Sequence, residues 1–204
     1  MGAGKVAKRI IGLMGNSGSG KSTAAAVLRE LGADIIDADE LSHDFCEPGQ
    51  LGNKKIRMRF GNDFFREDGS LDRQKLGRYV FSRPEELLAL EGILHPLVLA
   101  EVQARLLCST AQTIVIDCAL LTETGLDRLC SEIWLVEAGE KNRERIQERD
   151  GIDAHSAADR LKNQTPEKEL EQYADHLLKN EGTVADLRKR VKELYDGQNG
   201  KTKK

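Results

Sequence analysis

Apolar residues recur along this chain in two different rhythms. Short, nearly unbroken apolar runs stand at Ile10-Ile11-Gly12-Leu13-Met14, at Ile35-Ile36, at Ile114-Val115-Ile116, at Ile133-Trp134-Leu135-Val136 and, more weakly, at Leu177-Leu178. Runs of this kind without polar alternation predict strands buried on both faces, as in a parallel sheet covered by helices. Elsewhere the spacing is helical. Ala24-Ala25-Ala26-Val27-Leu28 is a strong helix former that should stop near Leu31-Gly32, and from Glu40 to about Ser109 helical stretches follow one another, broken at Glu47-Pro48-Gly49 and at Glu67-Asp68-Gly69-Ser70. The longest begins at Ser82-Arg83-Pro84-Glu85, with Pro near its start and acids in its first turn. It carries apolar residues at Leu87, Leu88, Leu90, Ile93, Leu94, Leu97, Val98 and Val102, with Pro96 as a candidate kink. The expected organisation is an α/β core from 1–40 and 111–195 with five parallel strands, and a helical insertion at 41–110. A charged helical lid at about 141–172 and a small, polar tail at 196–204 complete it.

Composition narrows the class. With 204 residues, 39% apolar, 32% charged and a net charge of −3, the chain suits one globular core with an inserted subdomain, and its field gives no reason to expect nucleic-acid binding. No stretch reads as the ~20 apolar residues that span a bilayer, and Met1-Gly2-Ala3-Gly4-Lys5 lacks the apolar core of a signal peptide, so a cytoplasmic location is expected. Cys46, Cys108, Cys118 and Cys130 form no C-x-x-C pair, which points to reduced, mostly buried thiols.

The chemistry concentrates directly after the first apolar run. Gly15-Asn16-Ser17-Gly18-Ser19-Gly20-Lys21-Ser22-Thr23 matches the template Gly, four residues, Gly-Lys-Ser, between a strand and a helix. Glycines let backbone N–H groups turn inward around phosphate oxygens, Lys21 supplies a charge for the β and γ phosphates, and the Ser22 hydroxyl can reach Mg2+. This is a P-loop for a nucleoside triphosphate, and with the strand pattern it predicts the three-layer α/β/α fold of P-loop nucleoside triphosphate hydrolases.

A P-loop binds phosphate without specifying a reaction, so acids and cations near it matter next. Asp37 and Asp39 fall at the end of the second strand, where ligands of open parallel sheets bind, and strand alternation would point them the same way. Either could take the proton of a substrate hydroxyl or hold a Mg2+ water; the alternative is a helix N-cap for the segment starting at Glu40. Asp117 ends the third strand, the layout of an acid that reaches Mg2+ through water. Arg145 and Arg149 lie four apart, placed either to meet phosphates or to pair with Glu144 and Glu148, and Arg160 stands in the same charged segment. His43, His155 and His176 read as surface or boundary residues, His95 is set apart by Pro96 beside it in an apolar helix, and Trp134 reads as core.

An ordered set of separated motifs resembles the dephospho-CoA kinase family from about Ile10 to Leu194. It consists of the P-loop, Ile36-Asp37-Ala38-Asp39, Glu47-Pro48-Gly49, Asp68 to Arg73, Leu76, Val80-Phe81, His95-Pro96, Leu120-Leu121 with Glu123, Arg149-Asp150, Arg160 with Gln164, Ala174-Asp175, and Asn180 before a glycine. Ala119 stands where the family usually has proline, and Asn16 and Ser17 occupy variable P-loop positions that should tolerate them. The resemblance implies Mg2+-assisted transfer of the ATP γ-phosphoryl group to the ribose 3′-hydroxyl of dephospho-CoA. Asp39 would be the general base, Arg149 a lid arginine near the transferring phosphate, Arg73, Arg78 and His95 part of an acceptor-binding domain, and the Asn180 loop would lie against adenine. No nucleic acid, membrane or obligate protein partner is implied. Another small-molecule P-loop kinase would share the loop and the strand-end acid but not the Asp-Ala-Asp and His-Pro pattern. A GTPase would need Asn-Lys-x-Asp, which Asn53-Lys54-Lys55 does not complete, and a non-catalytic ATP-binding regulator need not keep Lys21, Ser22 and Asp39.

Overall fold

The computed structural model describes residues 8–138, 142–151, 153, 161 and 164–199, without the side chains of residues 143, 148–150 and 198–199. Arg160 and His155 lie outside the described residues. Contacts divide the chain into two compact units, one made of the residues up to Ile36 with those from Ser109 onward, the other of Asp37–Cys108.

The first unit is built on a five-stranded sheet of β1 (Arg9–Met14), β2 (Asp34–Asp37), β3 (Thr113–Asp117), β4 (Glu132–Glu137) and β5 (His176–Lys179), in the order β2-β3-β1-β4-β5. β1 is central because its residues can be buried on both faces: Ile11, Leu13 and Met14 are inaccessible, and β1 runs parallel to β3 on one side and β4 on the other. β5 continues the sheet parallel to β4. Helix α1 (Lys21–Glu30) packs against the last helix, α8 (Val184–Asn199), and Val27, Leu28, Leu187, Val191 and Tyr195 join Trp134 and Val136 in one apolar core. Gly32, with φ +91°, turns the chain out of α1, as its position in the sequence suggests. The tail expected from 196 onward is helical through Asn199, because α8 carries its buried face to Tyr195 and its polar end simply continues the helix.

A polar network closes the amino-terminal end of this sheet. Arg9 Nε bonds Glu132 Oε1 at 2.5 Å, Trp134 Nε1 bonds Glu132 Oε2 at 2.9 Å, and His176 Nε2 lies 3.2 Å from the same oxygen. The Arg9 guanidinium also stacks over Trp134 and Tyr195. Burial works to raise the Glu132 carboxyl, but the hydrogen bonds from Arg9 and Trp134 and the charges of Arg9 and His176 outweigh it and hold it below its ordinary value.

The second unit is helical. It contains α2 (Ala38–Asp44), α3 (Leu51–Phe60), a short 3-10 turn at Asn62–Phe64, α4 (Arg73–Phe81) and α5 (Pro84–Cys108). Its own core joins Cys46, Ile56, Leu71, Leu76 and Val80, and beside it Phe60 packs edge to face on Phe64 and on Tyr79. The buried Asn53 amide donates to the carbonyls of Cys46 and Gly69, tying two loops to α3. α5 runs unbroken through Pro96 and packs on α2, α3 and α4. By length and composition α5 is apolar enough to cross a membrane, contrary to the sequence expectation, and Leu87, Leu90, Ile93 and Leu94 on it pack, partly buried, against the core of this unit.

Two outcomes follow from this packing. A Cβ on Gly12 would lie 2.6 Å from Leu121 Cδ2 and 2.8 Å from Cys130 Sγ, so Gly12→Val should lower unfolding free energy by about 1–3 kcal/mol in urea titrations. Because the Glu132 carboxyl is depressed in the fold, its contribution is fully present above its unfolded pKa and is lost as pH falls through the folded one. Glu132→Gln should therefore flatten the acid limb of a plot of stability against pH between about pH 5 and 3.

Candidate active site

β1 ends at Met14 and hands the chain to a loop whose shape only glycine permits at two points: Gly18 has φ +78° and Gly20 φ +98°. Gly20 occupies the N-cap of α1 and offers no side chain to it, so the first N–H groups of the helix are not capped from within and face the loop. Space is equally restrictive. A Cβ on Gly15 would sit 2.7 Å from the Val136 carbonyl, one on Gly18 2.3 Å from Asn142 Oδ1, and one on Gly20 2.5 Å from Asn180 Nδ2. Ser19 is wholly buried, its carbonyl accepts a 2.7 Å bond from Asn180 Nδ2, and its hydroxyl has no hydrogen-bond partner among the described residues. Asn180 is itself held by its N–H to Glu137 O at 2.9 Å, so β4, β5 and the loop form one unit.

Lys21 opens α1 and forms an ion pair with Asp117, the last residue of β3, with only 7% of the Asp117 side chain exposed. β3 is beside β1 and Asp117 is in register with Leu13, which is why the acid reaches the loop lysine. Ser22 and Thr23 follow in the first turn of α1. Gly15, Gly18, Ser19, Gly20, Lys21, Ser22, Thr23, Asp117 and Asn180, all singled out in the sequence, thus gather at the carboxyl ends of β1, β3 and β5.

The remaining candidates divide. Asp39, Arg73, Arg78 and His95 belong to the helical unit. Strand alternation does not relate Asp37 to Asp39: the Asp37 carboxylate accepts the Glu40 N–H at 2.9 Å and starts α2 at Ala38, so Asp37 is the N-cap and Asp39 lies in the first helical turn. Arg73 donates to His43 O at 2.9 Å and Glu47 Oε1 at 3.2 Å. Arg78 lines a shallow groove with Lys75, Tyr79 and Phe64, and His95 is half-buried on α5 beside Pro96. Arg149 falls on helix α6 (Asn142–Asp150), but its side chain lies outside the described residues, as does that of Arg143.

Arg145 has partners that neither reading of the sequence named. Its guanidinium donates to the carbonyls of Ala138 at 3.1 Å, Asn180 at 2.9 Å and Gly182 at 3.3 Å, tying α6 to the ends of β4 and β5. Three backbone acceptors meet one planar donor fork, an arrangement that spacing along α6 could not reveal. Beyond α6, helix α7 (Glu167–Glu171) brings Glu167 Oε1 to the Ala138 N–H at 2.9 Å. Burial first, then the Glu171 carboxylate, raises the carboxyl of Glu137 at the end of β4, against an opposing pull from Lys179. The described cysteines are free thiols, with Cys46 and Cys118 buried and Cys108 exposed, and burial, with Asp127 and Cys118 adding, pushes Cys130 up to about 12.

Comparison with known proteins agrees with this geometry. The model of the dephospho-CoA kinase family matches residues 9–186. The chain belongs to the dephospho-CoA kinase family. A dephospho-CoA kinase of Carboxydothermus hydrogenoformans is 39% identical over 186 residues, covering 89% of this chain and 90% of that protein. Among solved structures, TT1252 from Thermus thermophilus superposes with a TM-score of 0.79 at 34% identity, over 94% of this chain and 98% of the other. The dephospho-CoA kinase from Campylobacter jejuni gives 0.66 at 26% identity, over 94% of this chain and 99% of that one.

In this family member Asn180 is the bolt between the phosphate loop and β5. Asn180→Ala removes a bond to a buried carbonyl and should weaken ATP binding roughly 10-fold by isothermal titration calorimetry, since leaving such an acceptor unpaired costs about 1–3 kcal/mol.

Proposed function

We propose that this chain transfers the γ-phosphoryl group of ATP to the 3′-hydroxyl of dephospho-CoA, giving CoA and ADP, the last step of CoA biosynthesis. The observation that carries this reading is the glycine cradle at the uncapped start of α1, with Lys21 opening that helix, in a chain whose residues 9–186 match one kinase family. Phosphoryl transfer asks the protein mainly for positioning and for charge around the phosphates. The loop N–H groups and Lys21 hold the β and γ phosphates, and a triphosphate competes with Asp117 for the lysine charge.

Asp39 acts as the general base. It takes the proton of the acceptor hydroxyl as the new P–O bond forms, while the β–γ bridging bond breaks and its electron pair leaves with ADP. Arg149 stabilises charge on the transferring group, the Asn180 loop receives adenine, and Arg73, Arg78 and His95 bind the acceptor on the helical unit of residues 41–110. Mg2+ fits the donor set, because the Ser22 hydroxyl and the Asp117 carboxylate are hard oxygen donors flanking Lys21 and would hold it directly or through water. When bound, Mg2+ supplies charge neutralisation on the phosphate oxygens. The enzyme works on small molecules in the cytoplasm and needs no nucleic acid, membrane or partner chain.

ADP release with MgATP, compared across dephospho-CoA, adenosine, AMP, CMP and uridine, tests the acceptor, with mass spectrometry locating one added phosphate on the 3′ side. Turnover on dephospho-CoA alone is expected; turnover confined to a nucleoside or nucleotide would reassign the acceptor. Asp39→Asn should leave the KM for ATP near wild type and lower kcat by roughly 10²-fold or more, the loss expected for a positioned base. Unchanged turnover would remove Asp39 from that role.

A further inference from the structure

β2 ends at Asp37 and α2 begins at Ala38, so strand passes to helix with no loop residue between them. The residue at the joint makes that change. Asp37 keeps an extended backbone, with φ −84° and ψ 103°, while its carboxylate accepts the Glu40 N–H at 2.9 Å. That bond closes over Asp39, which therefore leaves the chain from the first turn of a helix. Left extended, residues 38–40 would continue the alternation of the strand and aim the Asp39 side chain elsewhere.

α2 is only seven residues long, and its two ends are held differently. Beyond its carboxyl end the Phe45 carbonyl accepts the Asn53 N–H at 2.8 Å and the Cys46 carbonyl accepts the Asn53 side-chain amide at 2.9 Å. Arg73 donates to the His43 carbonyl at 2.9 Å, so α3 and α4 both fasten this end. At the amino end Ala38 and Leu41 are buried, and the side-chain bond that starts the helix is the one Asp37 accepts. So short a helix gains little from its own cooperativity, and its first turn depends on its cap. We propose that Asp37 is a positioning residue for phosphoryl transfer: by capping α2 it holds the Asp39 carboxylate where the acceptor proton is taken. The role asks for a short side-chain acceptor and not for a charge. Asn supplies that acceptor as Asp does, Ala lacks it, and Glu carries it one methylene too far.

The inference rests on the role given to Asp39 above, and variants at both positions separate the two. Steady-state kinetics with MgATP and dephospho-CoA are compared for the wild type, Asp37→Asn, Asp37→Glu, Asp37→Ala, Asp39→Asn and the Asp37→Ala, Asp39→Asn double variant, with folding followed by thermal melts. Asp37→Asn keeps the cap without the charge and should hold kcat within about 3-fold of wild type. Asp37→Glu keeps the charge without the cap; like Asp37→Ala it should lower kcat roughly 10-fold and leave the KM for ATP within about 3-fold, because a displaced base costs rate and not nucleotide binding. In the Asp39→Asn background Asp37→Ala should add less than about 2-fold, since its effect passes through that base. Asp37→Glu carries both comparisons if Asp37→Ala melts at the assay temperature. Wild-type turnover in Asp37→Ala or Asp37→Glu, a loss in Asp37→Asn as large as theirs, or equal losses from Asp37→Ala in both backgrounds overturns the positioning role. Wild-type turnover in Asp39→Asn alone instead removes Asp39 from the chemistry.

Discussion

The first unit depends on how closely backbone can approach backbone around the phosphate loop. With no Cβ at Gly15, Gly18 and Gly20, the Val136 carbonyl, the start of α6 and the Asn180 amide all close on the loop at once. A methyl group at any of the three would displace one of those partners, and at Gly18 and Gly20 it would also force a left-handed backbone on a residue that resists it. The loop is consequently a junction as well as a binding site. β1 delivers it, β4 and β5 supply the neighbours on one side, and β3 supplies the acid on the other.

Charge is partitioned between the two ends of the sheet. At the carboxyl ends Lys21 is paired with the buried Asp117, which keeps a cation stable where water is scarce yet lets a polyanion compete for it. Arg145, by contrast, donates to three carbonyls and so ties α6 to the ends of β4 and β5. At the amino ends Arg9, Trp134 and His176 converge on Glu132 around the buried indole, and that cluster serves stability.

The five strands, the helix after the phosphate loop and the long helix from Pro84 could be read from periodicity, because each buries a face or a pair of faces large enough to leave a pattern. Asp37 and Asp39 were less readable. Whether the chain leaves β2 extended or helical turns on one carboxylate, and Asp37 accepting the Glu40 N–H makes the next residue helical. The end of α8 misled for a related reason: 196–199 are polar and include a glycine, yet a helix already anchored by Leu187, Val191 and Tyr195 extends through them at little cost.

What the sequence determined by itself was the chemistry available: a glycine loop with its lysine and hydroxyls, acids at strand ends, a helical insertion, and an order of motifs that belongs to one kinase family. These are local properties, set by residue type and spacing within a few turns of chain. Only the tertiary structure decided which partners those residues have. Asn180 lies 161 positions from Ser19, Gln164 147 from Ser17, and Asp117 96 from Lys21, so each pairing exists because parallel strands bring their carboxyl ends together. Spacing within a helix or loop carries no record of contacts made across a sheet, and the division of labour between Arg145 and Asn180 follows from such contacts.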